Sequence, residues 1–216
     1  MVAGVQPSAL EPAGRRSSRE EGLALVGLML AVMWIVEIID TAMNNRLDQY
    51  GIEPREVDGL IGIVAAPFLH DGFGHLISNT LPFVVMGIVI ALNGAARVIA
   101  VTVIVALVAG IGTWVIGPEY TNHIGASGIV FGYGSYLITR GFFNKSALDL
   151  AVGIVIAAVF GTALLSGLAP QDGISWQGHL FGAIGGIIAA RVLAGPRDQP
   201  ARHRGGSADA TLQRSF

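Results

Sequence analysis

Long apolar runs alternate with short polar breaks along the whole chain. Apolar residues dominate from about Gly22 to Met43, His75 to Asn93, Ala96 to Gly117, Ser127 to Gly141, Ala147 to Gly167 and Trp176 to Leu193. A helix rises about 1.5 Å per residue, so about 20 apolar residues cross the hydrocarbon core of a bilayer. The pattern predicts six transmembrane helices, the fourth short. Between the first two lies a loop, Asn44 to Gly74, that begins polar with Asp48, Glu53, Arg55, Glu56 and Asp58. It then turns apolar from Ile61 to Leu69, a run too short to cross, which places it in the interface or as a re-entrant segment. The expected organisation is a polar N-terminal segment over 1–21, a six-helix membrane domain over 22–195 and a disordered polar tail over 196–216.

Composition agrees. The 216 residues are 52% hydrophobic and 13% charged, with a mean hydropathy of +0.62, against about 25% charged in soluble domains. Thirty glycines favour helices packed closely through small residues. No cysteine is present, which excludes disulfides, thiolate metal sites and cysteine nucleophiles. The first apolar run is too long for a signal-peptide core and reads as a retained span. No basic stripe interleaved with aromatics suggests nucleic-acid binding, and no nucleotide-binding motif is present.

Charge placement sets the orientation. With both termini cytoplasmic, Arg15, Arg16, Arg19, Arg97, Arg140, Lys145, Arg191, Arg197, Arg202, Arg204 and Arg214 lie inside and only Arg46 and Arg55 outside, a split of 11 to 2. Cytoplasmic loops carry the excess of Lys and Arg. The long first loop and the loops 117–125 and 168–175 are then external. Trp114, Tyr120 and Trp176 fit an external aromatic belt.

Two polar residues open apolar helices at that same external level. One is Ser127 in Gly125-Ala126-Ser127-Gly128; the other is His179 in Gly178-His179-Leu180-Phe181-Gly182. A hydroxyl and an imidazole in hydrocarbon are costly without partners, and each most simply serves the other. A serine paired with a histidine is an activated nucleophile. Gly182 and Gly186 share a helical face with His179, and Gly128 and Gly132 thin the helix of Ser127, so the two helices can approach closely. A helix N-terminus at Ser127 also offers backbone N–H groups to an oxyanion. His75 and Asn79, four residues apart on one face of the second span, are further donors. Taken singly, Ser127 fits an N-cap, His179 a structural histidine and Asn79 a helix-packing amide. No acidic partner for His179 is evident within the spans, so the constellation reads as a dyad.

These motifs, in this order within six spans, resemble the rhomboid family of intramembrane serine proteases, and the resemblance covers nearly the whole chain. It implies a rhomboid-like bundle with a long, partly membrane-embedded first external loop. It implies Ser127 as nucleophile, His179 as general base and acid, and His75, Asn79 and the Ser127 N–H as the oxyanion hole, with Gly125, Gly128 and Gly182 in support. The expected substrate is a membrane protein with a transmembrane helix, mostly single-pass, cut near the outer membrane boundary in the cell membrane. No cofactor, metal, nucleotide or nucleic acid is expected. Two departures stand out. Phe131 stands where many members carry a tyrosine that packs on the catalytic histidine, and the family's Trp-Arg pair in the first loop has its nearest counterpart in Pro54-Arg55.

Rival readings are a catalytically silent rhomboid-like binding module, a small transporter, and a metal site. Both dyad residues are present; no internal repeat supports a transporter; no His-Glu-x-x-His spacing among His70, His75, His123 and His179 supports a metal. His70 and Asp71 read as a solvated loop, with a place near the site entrance as the alternative, His123 as an external-loop residue that can touch substrate, and Glu37 and Asp40 as acids at the outer end of the first span that reach the interface or bond the first loop. The fifth span, poor in polar anchors, is a candidate lateral gate beside Trp176.

Overall fold

A computed structural model of the chain describes residues 13–171 and 173–195, and the predicted tail over 196–216 lies outside them. Seven α-helices and no strands are found among the described residues: α1 (Ala13–Ala42), α2 (Gly62–Ala65), α3 (Gly72–Ala91), α4 (Ala95–Ile116), α5 (Ser127–Asn144), α6 (Ala147–Ser166) and α7 (Trp176–Val192). The six long ones follow the six apolar runs closely. Among the described residues four helical stretches, Ser17–Ala42, Gly72–Ala91, Ala95–Ile116 and Ala147–Ser166, are long and apolar enough to cross a membrane.

The differences from the expected boundaries have local causes. The first helix starts at Ala13 rather than Gly22, because Arg, Glu and Ala sustain a helix without being apolar. A hydrogen bond from Ser17 Oγ to Glu21 Oε1, 3.2 Å long, joins adjacent turns there. That helix ends at Ala42, and the chain turns away through Asn44 and Asn45, both left-handed (φ 55° and 59°), a conformation asparagine tolerates better than most residues. The fourth long helix reaches Asn144, three residues beyond the expected Gly141, and stops where Lys145 turns left-handed (φ 50°).

The interior is built on α5 and α7, the two helices that carry Ser127 and His179. Along α5 nearly every residue from Ile129 to Leu137 is buried. Its contact with α7 is backbone to backbone. A Cβ on Gly182 would collide with the Gly128 carbonyl, one on Gly186 with the Gly132 carbonyl, and one on Gly132 would come within 2.9 Å of the Gly182 carbonyl. Small residues spaced by four thus bring the two axes together. Against this pair pack α3, α4 and the Leu76, Phe83, Met86, Val101, Val105 and Tyr133 core. The hydroxyls of Thr102 and Tyr133 meet at 2.5 Å inside it.

Helix α6 is different. Its buried residues, Asp149, Gly153 and Ile156, all belong to its first half. Asp149 there pairs with Arg140 at 2.6 Å, with side chains 1% and 6% exposed, and accepts from Asn144 Nδ2 at 2.9 Å. Arg140, counted above among the cytoplasmic charges, is therefore consumed in a buried ion pair that fastens the start of α6 to the end of α5.

The first loop folds as a series of short helical turns, Asp48–Tyr50, Asp58–Ile61, α2 and Ala66–Phe68. One face, with Gly59, Gly62 and Ala66, is buried while Val57, Ile61 and Val64 are exposed. Arg55 clamps this loop to the end of α4. Its Nη1 donates to the carbonyls of Val115 (3.1 Å) and Gly117 (2.8 Å), its Nε meets Glu119 Oε1 at 3.2 Å, and Trp114 Nε1 donates to the Glu56 carbonyl (2.8 Å).

Candidate active site

Ser127 is the first residue of α5. The N-cap is Ala126, which has no side-chain acceptor, so Ser127 is not the capping residue. The turn before it is held from outside. His123 exchanges both backbone hydrogen bonds with Ile52 (2.9 and 3.0 Å), Gly125 N donates to the Ala66 carbonyl (2.9 Å), and Ala126 N donates to His70 Nε2 (3.3 Å). Gly125 sits at φ +114°, and a Cβ there would lie 2.6 Å from His75 Cε1 and 2.8 Å from His75 Nε2. Glycine is required on both counts: an L side chain rarely adopts that φ, and the imidazole fills its place. The N–H groups of Ser127, Gly128 and Ile129 have no partner among the described residues, the ordinary state of a helix start.

His179 occupies the first turn of α7, whose N-cap, Ser175, accepts from Gly178 N. Its Nδ1 lies 2.7 Å from the Gly167 carbonyl. A carbonyl only accepts, so Nδ1 carries the proton and the neutral ring keeps its lone pair on Nε2. Phe131 stacks on the imidazole with centroids 4.0 Å apart and planes 8° from parallel, so the phenyl ring packs on the histidine as a tyrosine ring would. Gly167 closes the arrangement; a Cβ there would come within 2.6 Å of Phe131 Cζ and 3.1 Å of His179 Nδ1. Gln177 beside it is buried as well.

On α3, His75 Nδ1 accepts weakly from Asp71 N (3.4 Å), which leaves the proton on Nε2. Asn79 spends one amide hydrogen on the His75 carbonyl (3.1 Å) and has a second. His75, Asn79, Ser127, Phe131, Gly167 and His179 all line one cavity of about 830 Å³, together with Asp71, Met86, Phe160, Leu164 and Trp176. The cavity lies where the loops 44–71, 117–126 and 167–175 gather. The expected residues are thus brought together, with Gly128 and Gly182 behind them. One expected contact is not made: no hydrogen bond joins Ser127 Oγ to His179 Nε2, and neither atom has another partner among the described residues.

One reading is corrected. His70 is not in a solvated loop. It is 1% exposed, edge-on to His75 with centroids 5.2 Å apart, and its pKa is pushed down to about 4, by burial first and then by His75. Its neutral Nε2 receives the Ala126 N–H directly before Ser127. His123 is partly buried and lines the same cavity, with Nε2 2.9 Å from Thr121 Oγ1 and Nδ1 2.8 Å from Ser175 Oγ. Asp71, by contrast, is exposed at the cavity rim as expected. Of the outer acids, Asp40 bonds the first loop by accepting from Leu47 N (2.6 Å), while Glu37, 1% exposed, accepts from Thr41 Oγ1 (3.4 Å). Sequence alone carried no signal for the role of His70 beyond its position five residues before His75. No group of three or more His, Cys, Asp or Glu able to hold a metal ion is found among the described residues.

Residues 58–196 match the rhomboid domain. The chain is 41% identical over 175 residues to an uncharacterised protein of Mycobacterium tuberculosis, covering 77% of this chain and 73% of that one. It is 40% identical over 176 residues to an uncharacterised protein of Mycobacterium leprae, covering 77% and 69%. A putative rhomboid protease of Bacillus subtilis is 30% identical over 128 residues, 58% of this chain and 63% of that protein.

Proposed function

The chain belongs to the rhomboid family, and from that premise we propose that it is an intramembrane serine endopeptidase that cuts transmembrane segments of mostly single-pass membrane proteins near the outer membrane boundary. All six long helices span the cell membrane in this reading, with both termini cytoplasmic and the cavity opening outside. The observation that carries the proposal is the convergence of Ser127, a histidine with its lone pair on Nε2, and several unspent N–H donors on one cavity.

The chemistry follows from those atoms. Ser127 Oγ attacks the scissile carbonyl as His179 Nε2 takes its proton. The resulting imidazolium is steadied by the Gly167 carbonyl at Nδ1 and by the face of Phe131. The developing oxyanion is met by the Ser127 N–H at the positive end of α5 and by His75 Nε2–H and the second Asn79 amide hydrogen. The carbon–nitrogen bond breaks as His179 returns the proton to the leaving amine, and water then hydrolyses the acyl-serine by the reverse proton path. The Ser127–His179 hydrogen bond closes when substrate is bound; catalytic hydrogen bonds are commonly long in free enzymes. Substrate enters laterally past α6, whose second half contributes no buried residue but supplies Phe160, Ala163 and Leu164 to the cavity wall. Cross-linking α6 to α3 should then abolish cleavage.

The second reading, a catalytically silent rhomboid-like module that binds membrane proteins, draws on the open Ser127–His179 contact. The deciding experiment is cleavage of a single-pass test substrate by the full chain in liposomes, with Ser127→Ala and His179→Ala alongside and EDTA added. Cleavage by the wild type alone, insensitive to EDTA, is the expected result. No cleavage of any of several substrates supports the silent module, and cleavage by Ser127→Ala refutes the dyad.

A further inference from the structure

His123 is bonded to three segments at once. Its backbone pairs with Ile52 of the first loop, its Nε2 meets Thr121 within its own loop, and its Nδ1 meets Ser175, the N-cap of α7. The protons in this network can be placed one by one. Thr121 Oγ1 donates to the Pro118 carbonyl at 2.6 Å, which uses its only proton, so at 2.9 Å it accepts from His123 Nε2–H. The neutral ring then has an acceptor at Nδ1, and Ser175 Oγ donates to it at 2.8 Å. Ser175 Oγ in turn accepts from Gly178 N at 3.3 Å, while the Ser175 carbonyl accepts from His179 N at 3.1 Å. Burial holds the imidazole below its usual pKa, which keeps the ring in this neutral form.

This network lies across the two halves of the site. His123 precedes Ser127 by four residues, and Ser175 precedes His179 by four. Below that level the Gly128–Gly182 backbone contact sets how close α5 and α7 lie. At the loop end, the His123–Ser175 bond is the direct tie between the turn that leads into Ser127 and the cap that starts the helix of His179. Ser127 and His179 are not bonded to each other, so their approach depends on what holds the two chain segments.

We infer that His123 is a positioning residue: its Nδ1, acting through the Ser175 hydroxyl, holds the leading turn of Ser127 in register with the helix start of His179. The inference rests on the peptidase reading above. It assigns the effect to one acceptor atom, and two substitutions separate the ring's two nitrogens. His123→Asn keeps an oxygen acceptor near the Nδ1 position and gives up the Nε2 donor. His123→Gln keeps a donor near Nε2 and gives up the Nδ1 acceptor.

The test measures kcat and KM for the full chain in liposomes on a single-pass substrate, corrected to the folded fraction. His123→Asn should stay within threefold of wild-type kcat. His123→Gln should lose about tenfold or more in kcat with KM within about twofold, because a misplacement of the reacting groups acts on the chemical step. Ser175→Ala should lose a similar factor, and His123→Gln combined with Ser175→Ala should be no slower than the slower single variant. Equal activity of the Asn and Gln variants, or additive losses in the double variant, overturns the inference while Ser127→Ala remains silent and the peptidase reading stands. A wild type no faster than Ser127→Ala on every substrate overturns the peptidase reading, and this inference with it.

Discussion

Gly125→Ala should silence the proposed peptidase for two reasons that neighbouring glycines separate. At φ +114° an alanine is forced outside the regions open to L residues, a strain of about 1–3 kcal/mol. Its Cβ would also stand 2.6–2.8 Å from the His75 ring, where unbonded carbon contacts begin near 3.5 Å. The imidazole must therefore move by the better part of an ångström. Displacements of about that size in a reacting site cost on the order of 100-fold in rate, and His75 is one of the proposed oxyanion donors. Gly72 and Gly74 supply the controls. Gly72 has φ +83° with nothing within 4 Å of its would-be Cβ, and Gly74 has neither constraint. Gly72→Ala should lower stability by about 1–2 kcal/mol with kcat kept, Gly74→Ala should change neither, and Gly125→Ala should lose both stability and about 100-fold in kcat. The assay is cleavage in detergent with the folded fraction followed by tryptophan fluorescence. A Gly125→Ala variant that folds and cuts within about threefold of wild type would refute the reasoning.

Gly167→Ala places a methyl 2.6 Å from Phe131 Cζ and 3.1 Å from His179 Nδ1; it should lower kcat about tenfold or more while leaving the unfolding midpoint nearly unchanged, since this wall borders the cavity. Asp149→Asn leaves Arg140 charged and buried, and should cost about 3–5 kcal/mol in reversible unfolding from detergent micelles; a loss under 1 kcal/mol would mean water reaches the pair. Asp48, part-buried, has its carboxyl pushed up to about 7 by burial first and then by the charges of Asp40, Asp71 and Glu37. The folded chain thus holds a proton that the unfolded chain releases near pH 4, and this contribution to stability is full below about pH 4 and lost as pH rises through 7. His70, lowered to about 4, acts with the opposite sign, its contribution being lost as pH falls from about 6.5 to 4. The Asp48 contribution is therefore read as wild type minus Asp48→Asn in thermal midpoint, and this difference should fall between pH 5 and 8; a flat difference would remove the raised pKa.

The six long helices were legible in the order and length of the apolar runs because an apolar run of about 20 residues is a local property of the chain, needing no partner to be specified. The placing of Ser127 and His179 at the starts of their helices was legible for the same reason, and the glycines beside them announced a close helix contact. The structure supplied its form, the Gly128 and Gly132 carbonyls seated where side chains of Gly182 and Gly186 would stand. The stack of Phe131 on His179 followed once the two helices were paired. What the pattern did not carry is how the loops are fastened. His70 caps the chain at Ala126 across 56 residues, His123 reaches Ser175 across 52, and Arg55 closes on Val115 and Gly117 across 60 and 62. Arg140 likewise was read only as one of the cytoplasmic charges, with no sign of the buried pair it makes with Asp149. A hydrogen bond or ion pair in a loop depends on which distant segment the fold brings within 3 Å, and polarity alone reads the same whether a side chain faces water or a buried partner. The lengths of the apolar runs therefore announced the long helices, while tertiary packing alone decided which polar residues hold the candidate site together.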